Sequence, residues 1–304
     1  MHLPRRQFIK TTGLALGASL LPWQRLLAAA NGLDDDTQMK LLRDSVGIFI
    51  GRGGTIGWLI DDSAVVAIDS QFPDYAKKFI EKAKAKMDRE MDMLINTHHH
   101  GDHTGGNIAF KGLVKKVVAH ENSKANQMRV AKARDQEIGQ LYPDKTFTTE
   151  WSERVGKEII TAKYFGPAHT DGDAIIHFEN ANVAHMGDLM FNRRFPFIDR
   201  SAGASIKGWI RVLKKARKTY DKDTLFIFGH AGEGHEITGT HADLKAFENY
   251  LKRLLQYTKK QIKAGKTLDE IKAAGITTIP EAEEWTGRGI ERSLQSAFEE
   301  LIEK

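Results

Sequence analysis

The most informative absence in this 304-residue chain is cysteine, which does not occur at all. Its absence excludes disulfide bonds and thiolate ligands, so any metal site must be built from imidazole, carboxylate and other oxygen donors. The length is enough for one large domain or two modest ones. A hydrophobic content of 41% with 28% charged residues is ordinary for a globular protein, and no internal repeat or low-complexity tract interrupts the chain.

A strong excess of one charge is also missing once the first thirty residues are set aside. The formal net charge is +5, but Arg5, Arg6, Lys10 and Arg25 lie in that first segment, which has no acidic residue. Without them, 41 basic residues face 40 acidic ones, a net charge of +1. Nucleic-acid binding proteins usually carry a basic patch that neutralises phosphates, so we expect no nucleic-acid partner.

Long hydrophobic runs are equally scarce. The apolar stretch of residues 13–21 is far shorter than the roughly 20 residues that a membrane-spanning helix needs. It follows the basic segment of residues 5–10, which contains Arg5 and Arg6, and it precedes the small residues 28–30. This order resembles a twin-arginine export signal with its cleavage site. We therefore expect residues 1–30 to be removed after recognition by the twin-arginine export machinery, leaving a periplasmic or otherwise extracytoplasmic protein without a stable membrane anchor.

One hexapeptide, residues 98–103, carries most of the recognisable chemistry. It reads His-His-His-Gly-Asp-His and lies between a short apolar segment, residues 93–97, and a Gly-Gly turn at residues 104–107. A loop that leaves a strand can direct alternate side chains to one point, and imidazole and carboxylate are suitable ligands for Zn²⁺ and similar cations. The alternative is a solvated histidine-rich loop, which the Asp among the histidines and the glycines that follow disfavour.

The pattern His-x-His-x-Asp-His resembles the signature of the metallo-β-lactamase superfamily, whose members are hydrolases with one or two metal ions. That family has three further ligands downstream, each after its own strand, and His169, Asp188 and His230 match their order and their flanking glycines. The resemblance covers roughly residues 45–255 and implies an α/β fold, a four-layer αββα sandwich. Sequence periodicity by itself supports only a mixed α and β domain.

The resemblance also implies the ligand set of two metal ions. The first ion would have three histidine ligands: His98, His100 and His169. The second would have one carboxylate and two histidine ligands: Asp102, His103 and His230. Asp188 would bridge the ions, and an anionic bridge offsets the repulsion between two divalent cations roughly 3.5–4 Å apart. We expect two Zn²⁺ ions, with Fe or Mn possible at such ligands.

These ligands predict an exported, binuclear, metal-dependent hydrolase that acts on a small-molecule substrate. Water on Zn²⁺ has a pKa of about 7, so a metal-bound hydroxide would attack an activated acyl bond of a lactone, ester, thioester or lactam. Asp102 is the candidate catalytic residue, because it would also relay a proton to the leaving group. Asp188 stands where true β-lactamases typically have Cys or Ser, and this resembles lactonase-like, glyoxalase-like and phosphodiesterase-like members. A true β-lactamase, a phosphodiesterase of the same fold and a non-catalytic periplasmic metal-binding accessory protein are the alternatives.

The rest of the chain divides at residue 255. We expect the hydrolase domain to span residues 31–255 and a helical C-terminal extension, residues 256–304, to pack on the same domain. Strands at residues 46–50 and 56–60 flank a glycine-rich turn, which is either a flap over the metals or a plain surface turn. Ser205 and Thr267 are predicted helix N-caps.

Four other residues near these motifs have two interpretations each, and a fifth has one. His99 points away from its neighbours if alternate residues bind metal, so we expect it to support a ligand or to pack. Asp69, at a strand end, either orients a ligand histidine or forms a turn. Arg193 and Arg194 either clamp a substrate carboxylate or remain solvated. His185 is expected to be structural.

Overall fold

The computed structural model describes residues 36–274, 279 and 282–303. The predicted export signal, residues 1–30, lies outside the described residues, and so do residues 31–35 of the expected hydrolase domain. Among the described residues, no helix has both the length and the apolar character required to cross a membrane.

Within the described chain, the first sheet contains seven strands that are neighbours in sequence order. They are β1 Gln38–Arg43, β2 Val46–Ile50, β3 Ile56–Ile60, β4 Val65–Ile68, β5 Met93–Asn96, β6 Val117–His120 and β7 Lys145–Phe147. Strands β1 to β4 form an antiparallel meander, whereas β4 to β7 are parallel. Strands β2 and β3 have the bounds that the sequence predicted on either side of its glycine-rich turn.

The second sheet has six strands among the described residues, in the order β15-β13-β11-β10-β9-β8. They are β8 Glu150–Val155, β9 Glu158–Tyr164, β10 Ala174–Phe178, β11 Val183–His185, β13 Leu225–Ile227 and β15 Thr238–Gly239. Its strands are antiparallel except for β11 and β13, which are parallel. A short parallel pair, β12 Phe191–Asn192 and β14 His230–Ala231, lies beside it.

The helices of the described residues cover the outer faces of the two sheets. They are α1 Pro73–Lys86, α2 Gly101–Thr104, α3 Glu121–Ala133, α4 Ile206–Thr219, α5 His241–Lys263, α6 Leu268–Ala273 and α7 Ile290–Ile302. Ser205 and Thr267 are the N-caps of α4 and α6, as predicted, because their hydroxyls accept backbone N–H donors of the first turn. Helix α5 is continuous across residue 255, and the division of the chain there stays a prediction.

Alternating side chains separate the layers. In β2, Ile48 joins the core between the sheets, where it meets residues of the second sheet such as Ile176, whereas its neighbour Phe49 packs on the outer face against Phe79 of α1. Trp209 of α4 belongs to the third core, between the second sheet and helices α4, α5 and α7. Successive residues of a strand point to opposite faces, so the order is helix, sheet, sheet, helix. This confirms the predicted αββα sandwich.

Helix α7, near the C-terminus, is joined to the start of α4 by the buried carboxylate of Glu300. The backbone N–H groups of Ile206 and Lys207 donate to it at 2.6 and 2.9 Å, and the Ser205 hydroxyl donates at 3.2 Å. The first N–H groups of a helix have no partner within the helix and favour a negative charge. The backbone N–H of Ser205 in turn donates to the carbonyl of Ala168 at 2.9 Å. The C-terminal helix therefore supports the loop that carries the next residue, His169.

Replacing Glu300 with Ala should lower the free energy of unfolding by about 2 kcal/mol, because two buried N–H groups lose their acceptor. Urea denaturation followed by circular dichroism measures the change. The matched control is Glu291→Ala, an exposed residue of the same helix, which should stay within about 0.5 kcal/mol of the wild type. Equal stability of the two variants would show that α7 does not stabilise the domain through this contact.

Candidate metal centre

The hexapeptide identified in the sequence begins just beyond the end of β5. His100 has extended backbone angles and precedes the single helical turn α2, which starts at Gly101. The extended segment directs His98 and His100 toward one point, and the helical turn directs Asp102 and His103 toward another. The change of backbone conformation at Gly101 therefore divides one short motif between two clusters.

The first cluster consists of three imidazoles and one carboxylate. The Nδ1 atom of His100 lies 3.1 Å from Nε2 of His98 and 2.8 Å from Nε2 of His169. The Oδ2 atom of Asp188 is 3.8 Å from Nε2 of His98 and 3.4 Å from Nε2 of His169. Burial lowers the pKa of His98 well below its usual value and that of His169 to about 3. Both imidazoles are therefore neutral, which is the form that binds metals.

The second cluster contains Asp102, His103 and His230. The Oδ2 atom of Asp102 is 3.2 Å from Nε2 of His230 and 3.9 Å from Nε2 of His103. The other carboxylate oxygen of Asp188, Oδ1, is 3.0 Å from Nε2 of His103 and 3.4 Å from Nε2 of His230. Asp188 thus presents one oxygen to each cluster, and the structure brings together all seven residues that the sequence nominated as ligands.

Orphaned atoms at the junction of the clusters show that the residues fit a metal. The Oδ1 atom of Asp188 and the Nε2 atom of His103 are both buried and lie 3.0 Å apart, yet neither forms a hydrogen bond of normal geometry with a described residue. Unsatisfied buried polar atoms are rare in folded proteins, and a bound ion is a common explanation for them. Although burial lowers the pKa of a histidine, the carboxylates of Asp188 and Asp69 raise that of His103 well above its usual value. A positive charge is therefore favoured where a cation would lie.

Two glycines make room for the Asp188 carboxylate. Gly187 has a φ of +51°, and a Cβ atom there would lie 2.5 Å from Oγ1 of Thr97. A Cβ atom on Gly229 would lie 2.1 Å from Oδ1 of Asp188 itself. A side chain at Gly229 would displace the carboxylate, and one at Gly187 would clash with Thr97 beside His98, so both flanking glycines serve the site.

Asp69 supports the second cluster from behind, as one of its two interpretations anticipated. The Nδ1 atom of His103 is 2.7 Å from Oδ2 of Asp69, which directs Nε2 of that ring toward the cluster. The carboxylate of Asp69 also accepts the backbone N–H and the hydroxyl of Thr97, at 2.8 and 2.7 Å. The Thr97 hydroxyl lies 3.0 Å from Nδ1 of His98. Such outer contacts set the orientation and the tautomer of a ligand histidine.

The two remaining histidines of the first cluster are held by the segment near residue 198. Nδ1 of His169 donates to the carbonyl of Phe197 at 2.7 Å, and Nε2 of His100 lies 3.0 Å from Oδ2 of Asp199. This contact leaves Nδ1 of His100 free for the cluster. Sequence reasoning missed Asp199, because its only local signal is that of a helical turn cap, in which it accepts the N–H of Ala202. Nothing in its spacing relates it to a histidine 99 residues away.

The structure also shows the contacts of three further residues that the sequence left outside the ligand set. His99 is not in either of these clusters, since its Nε2 lies 3.6 Å from Asp199. Arg193 binds Glu284 at 3.0 Å and packs over the Trp285 ring at 5.2 Å, so it is engaged in the fold. His185 is structural, because its Nδ1 accepts the N–H of Gly187 at 3.1 Å and its Nε2 contacts a backbone carbonyl in the glycine-rich turn.

The glycine-rich turn, residues 51–55, packs directly on the metal-ligand loop. The N–H of Gly54 donates to the carbonyl of Asp102 at 3.0 Å. A Cβ atom on Gly54 would lie 2.2 Å from the ring of His103, so the close approach requires glycine. The turn is therefore not a plain surface turn, since it packs against the second cluster.

An open cavity of about 270 Å³ lies beside both clusters. Its floor contains four of the candidate ligands: His100, Asp102, Asp188 and His230. Its walls combine apolar and basic residues: Phe191, Phe195, Pro196, Phe197, Arg194, Arg288 and Arg292. A concave pocket that combines apolar walls with convergent polar groups is typical of small-molecule sites.

Comparison with known proteins agrees with this geometry. Residues 52–230 match the family model described as "Metallo-beta-lactamase superfamily". The chain is 23% identical to metallo-beta-lactamase IND-1 of Chryseobacterium indologenes over 195 residues, which are 62% of this chain and 78% of that protein. It is 27% identical to hydroxyacylglutathione hydrolase of Synechococcus sp. over 135 residues, 44% of this chain and 48% of the relative.

A third relative and two solved structures are also similar. The 2,4-dinitroanisole O-demethylase subunit alpha of Nocardioides sp. is 30% identical over 137 residues, 43% of this chain and 39% of the relative. The structure of a metallo-beta-lactamase from Pontibacter korlensis has a TM-score of 0.58 at 18% identity and covers 71% of this chain and 99% of its own. Metallo-beta-lactamase IND-7 has the same TM-score at 19% identity, covering 72% and 99%. At these identities the two structures show the shared fold.

The contact between Asp69 and His103 gives a prediction about metal affinity. Asp69→Asn keeps the shape but replaces a charged acceptor, so the second cluster should bind its ion about 10- to 100-fold more weakly. Titration of zinc against a fluorescent chelator measures both sites, and the wild type should bind about two ions per chain. Asp62→Asn, at an exposed surface ion pair with Lys157, is the control. Unchanged affinity in Asp69→Asn would exclude a supporting role for this carboxylate.

Proposed function

Because the chain belongs to the metallo-beta-lactamase superfamily of metal-dependent hydrolases, we propose that it is an exported enzyme that hydrolyses an activated acyl bond in a small molecule. The bond would be that of a lactone, ester, thioester or lactam. The observation that carries the proposal is the placement of Asp188, whose two oxygens face two separate clusters of ligand-type atoms. An anionic bridge of this kind is what two neighbouring divalent cations require.

The proposed ligand sets follow the two clusters. One metal ion would be held by three imidazoles: His98, His100 and His169. The other would be held by Asp102, His103 and His230, with Asp188 shared between them. A donor set of nitrogen and oxygen without sulfur suits Zn²⁺ and also accepts Fe or Mn. When bound, the ions lower the pKa of water to supply a nucleophile and stabilise the oxygen that gains charge.

The residues of the chain itself would orient the substrate and move the proton. The side chain of Asp102 is 30% exposed and lines the cavity, whereas that of Asp188 is 4% exposed. We assign to Asp102, beside its role as a ligand, the transfer of a proton to the leaving group. The Phe191 ring stacks on the ring of His230 with centroids 5.2 Å apart, which keeps water from that face of the imidazole. Shielding from water strengthens the electrostatic contacts made there.

The absence of sulfur among the ligands favours oxygen leaving groups. Both clusters have only nitrogen and oxygen donors, so the second ion is harder than one with a thiolate ligand. A hard cation stabilises an alkoxide well, while an amide nitrogen must be protonated before it leaves. Esters and lactones should therefore react faster than lactams. The β-lactamase alternative is supported by the similarity to metallo-beta-lactamase IND-1.

A panel of matched substrates tests this proposal. With ring substituents held constant, kcat/KM for a β-lactone or an ester should exceed that for the β-lactam. Asp188→Ala should reduce activity by more than the roughly 10- to 100-fold expected for an outer contact, since it removes the bridge itself. Asp62→Ala is the control and should retain full activity.

The opposite outcomes are equally informative. Efficient hydrolysis of the β-lactam with no reaction of esters and lactones would replace the proposal with a true β-lactamase. Hydrolysis of only a phosphodiester would indicate a phosphodiesterase. Two bound metal ions without turnover of any substrate would favour the metal-binding accessory protein.

We also propose export by the twin-arginine route, on the basis of the order of basic, apolar and small residues before residue 31. Changing both Arg5 and Arg6 to Lys keeps the charge but removes the planar guanidinium groups, so the precursor should accumulate in the cytoplasm. Cell fractionation measures the distribution, and Arg25→Lys, outside the pair, should be exported normally. Mass spectrometry should find the mature N-terminus within a few residues of Asn31. Unchanged periplasmic recovery of the double variant would exclude this route.

A further inference from the structure

Three arginines line the cavity beside the metal centre. Arg194 follows β12, Arg288 precedes α7, and Arg292 lies in the first turn of α7. The last two lie beyond residue 230, where the family match ends. The three arginines form a basic wall of the cavity, and the C-terminal part of this chain contributes two of them from outside the matched region.

Within the described residues, no acidic side chain pairs with these arginines. Neighbouring Arg193 binds the carboxylates of Glu284 and Asp243, at 3.0 and 3.5 Å. By contrast, none of the three cavity arginines forms a hydrogen bond or an ion pair with a described residue, and all three are exposed.

Aromatic packing positions one of the three without using its donors. The guanidinium of Arg292 lies over the ring of Phe197, 5.3 Å from its centroid. Such stacking directs the guanidinium plane but leaves its N–H groups available. Phe197 is itself tied to the first cluster, because its carbonyl accepts the N–H of His169. The basic wall is therefore positioned relative to the candidate metal ligands.

With two metal ions bound, the metal centre would add its positive charge to that of the three arginines. Two divalent cations exceed the charge of the two carboxylates, Asp102 and Asp188, that would share them. Three further cations at the wall make the whole cavity positive, and a cavity of one sign attracts and orients ligands of the opposite sign. A neutral substrate would leave these charges without partners.

We infer that the substrate is a small acyl compound with a carboxylate tail, and that Arg194, Arg288 and Arg292 bind this tail while the acyl group lies over the metal centre. The identity of the reacting bond rests on the proposed function, whereas binding of the tail does not. A guanidinium donates two parallel hydrogen bonds to a planar carboxylate. The apolar walls at Phe195 and Pro196 suit a short carbon chain between the two ends.

Matched esters test the inference kinetically. The 4-nitrophenyl monoester of glutaric acid carries a terminal carboxylate, and 4-nitrophenyl pentanoate has the same chain length without it. Replacing all three arginines with Ala should raise KM for the anionic ester at least about tenfold, equivalent to about 1.4 kcal/mol, with kcat nearly unchanged. KM for the neutral ester should not change. Arg211→Ala, an exposed residue of α4 outside the cavity, is the control.

Calorimetry separates this inference from the proposed function. Zinc-loaded wild type should bind glutarate about tenfold more tightly than pentanoate, and the triple Ala variant should lose this difference. A triple Lys variant keeps the charge but lacks the paired donors of the guanidinium, so it should recover only part of the preference for glutarate. Tighter binding of 4-phosphonobutanoate than of glutarate would replace the carboxylate tail with a phosphoryl one.

Equal affinity of wild type and triple variant for glutarate would overturn the inference, even if esters are hydrolysed. If the two proteins differ in their affinity for glutarate but no ester is hydrolysed, the arginine site for a carboxylate is upheld and the acyl hydrolase is refuted. The single variant Arg288→Ala, in an exposed segment, should show a smaller loss in the same direction and guards against misfolding of the triple variant.

Discussion

The carboxylate of Asp188, buried between two groups of imidazoles, is the interaction on which the rest of this structure depends. Taking a carboxylate out of water costs several kcal/mol unless positive charge compensates it. Burial raises the pKa of such a group, but His230 and His103 hold the pKa of Asp188 well below its usual value. The orphaned Oδ1 atom indicates that hydrogen bonds alone do not complete this compensation. A pair of cations would complete it.

The sandwich serves this carboxylate by bringing strand ends together. The loop after β5 supplies four of the candidate ligands, and the ends of the parallel neighbours β11 and β13 supply Asp188 and His230. Glycines at residues 54, 187 and 229 allow backbone and rings to approach more closely than a Cβ atom would permit. Asp69 and Asp199 then hold the outer nitrogens of His103 and His100. The chain after residue 240 holds one ligand loop and contributes two of the three arginines of the basic wall, Arg288 and Arg292.

Prediction from the sequence succeeded where the signal is local or repeats a familiar spacing. Strands at residues 46–50 and 56–60 have largely apolar sequences on either side of a glycine-rich turn, and their bounds agree with the structure. Ser205 and Thr267 were identified as caps because a cap depends only on the next three residues. The support of His103 by Asp69 was only one of two interpretations, because no residue near Asp69 in the sequence indicates which side chain its carboxylate contacts.

The sequence by itself determined the nature of the ligand atoms, because this depends on residue type, while its resemblance to a known family indicated the fold class and the division of His98, His100, Asp102 and His103 between two clusters. Only the tertiary structure decided which distant residues act on the site. Asp199 reaches His100 across 99 positions, and Arg288 and Arg292 reach the cavity from the end of the chain. Arg193 and Arg194 are adjacent, yet one is bound by acidic residues and the other lines the cavity. Such assignments depend on packing between helices and loops, which no local pattern encodes.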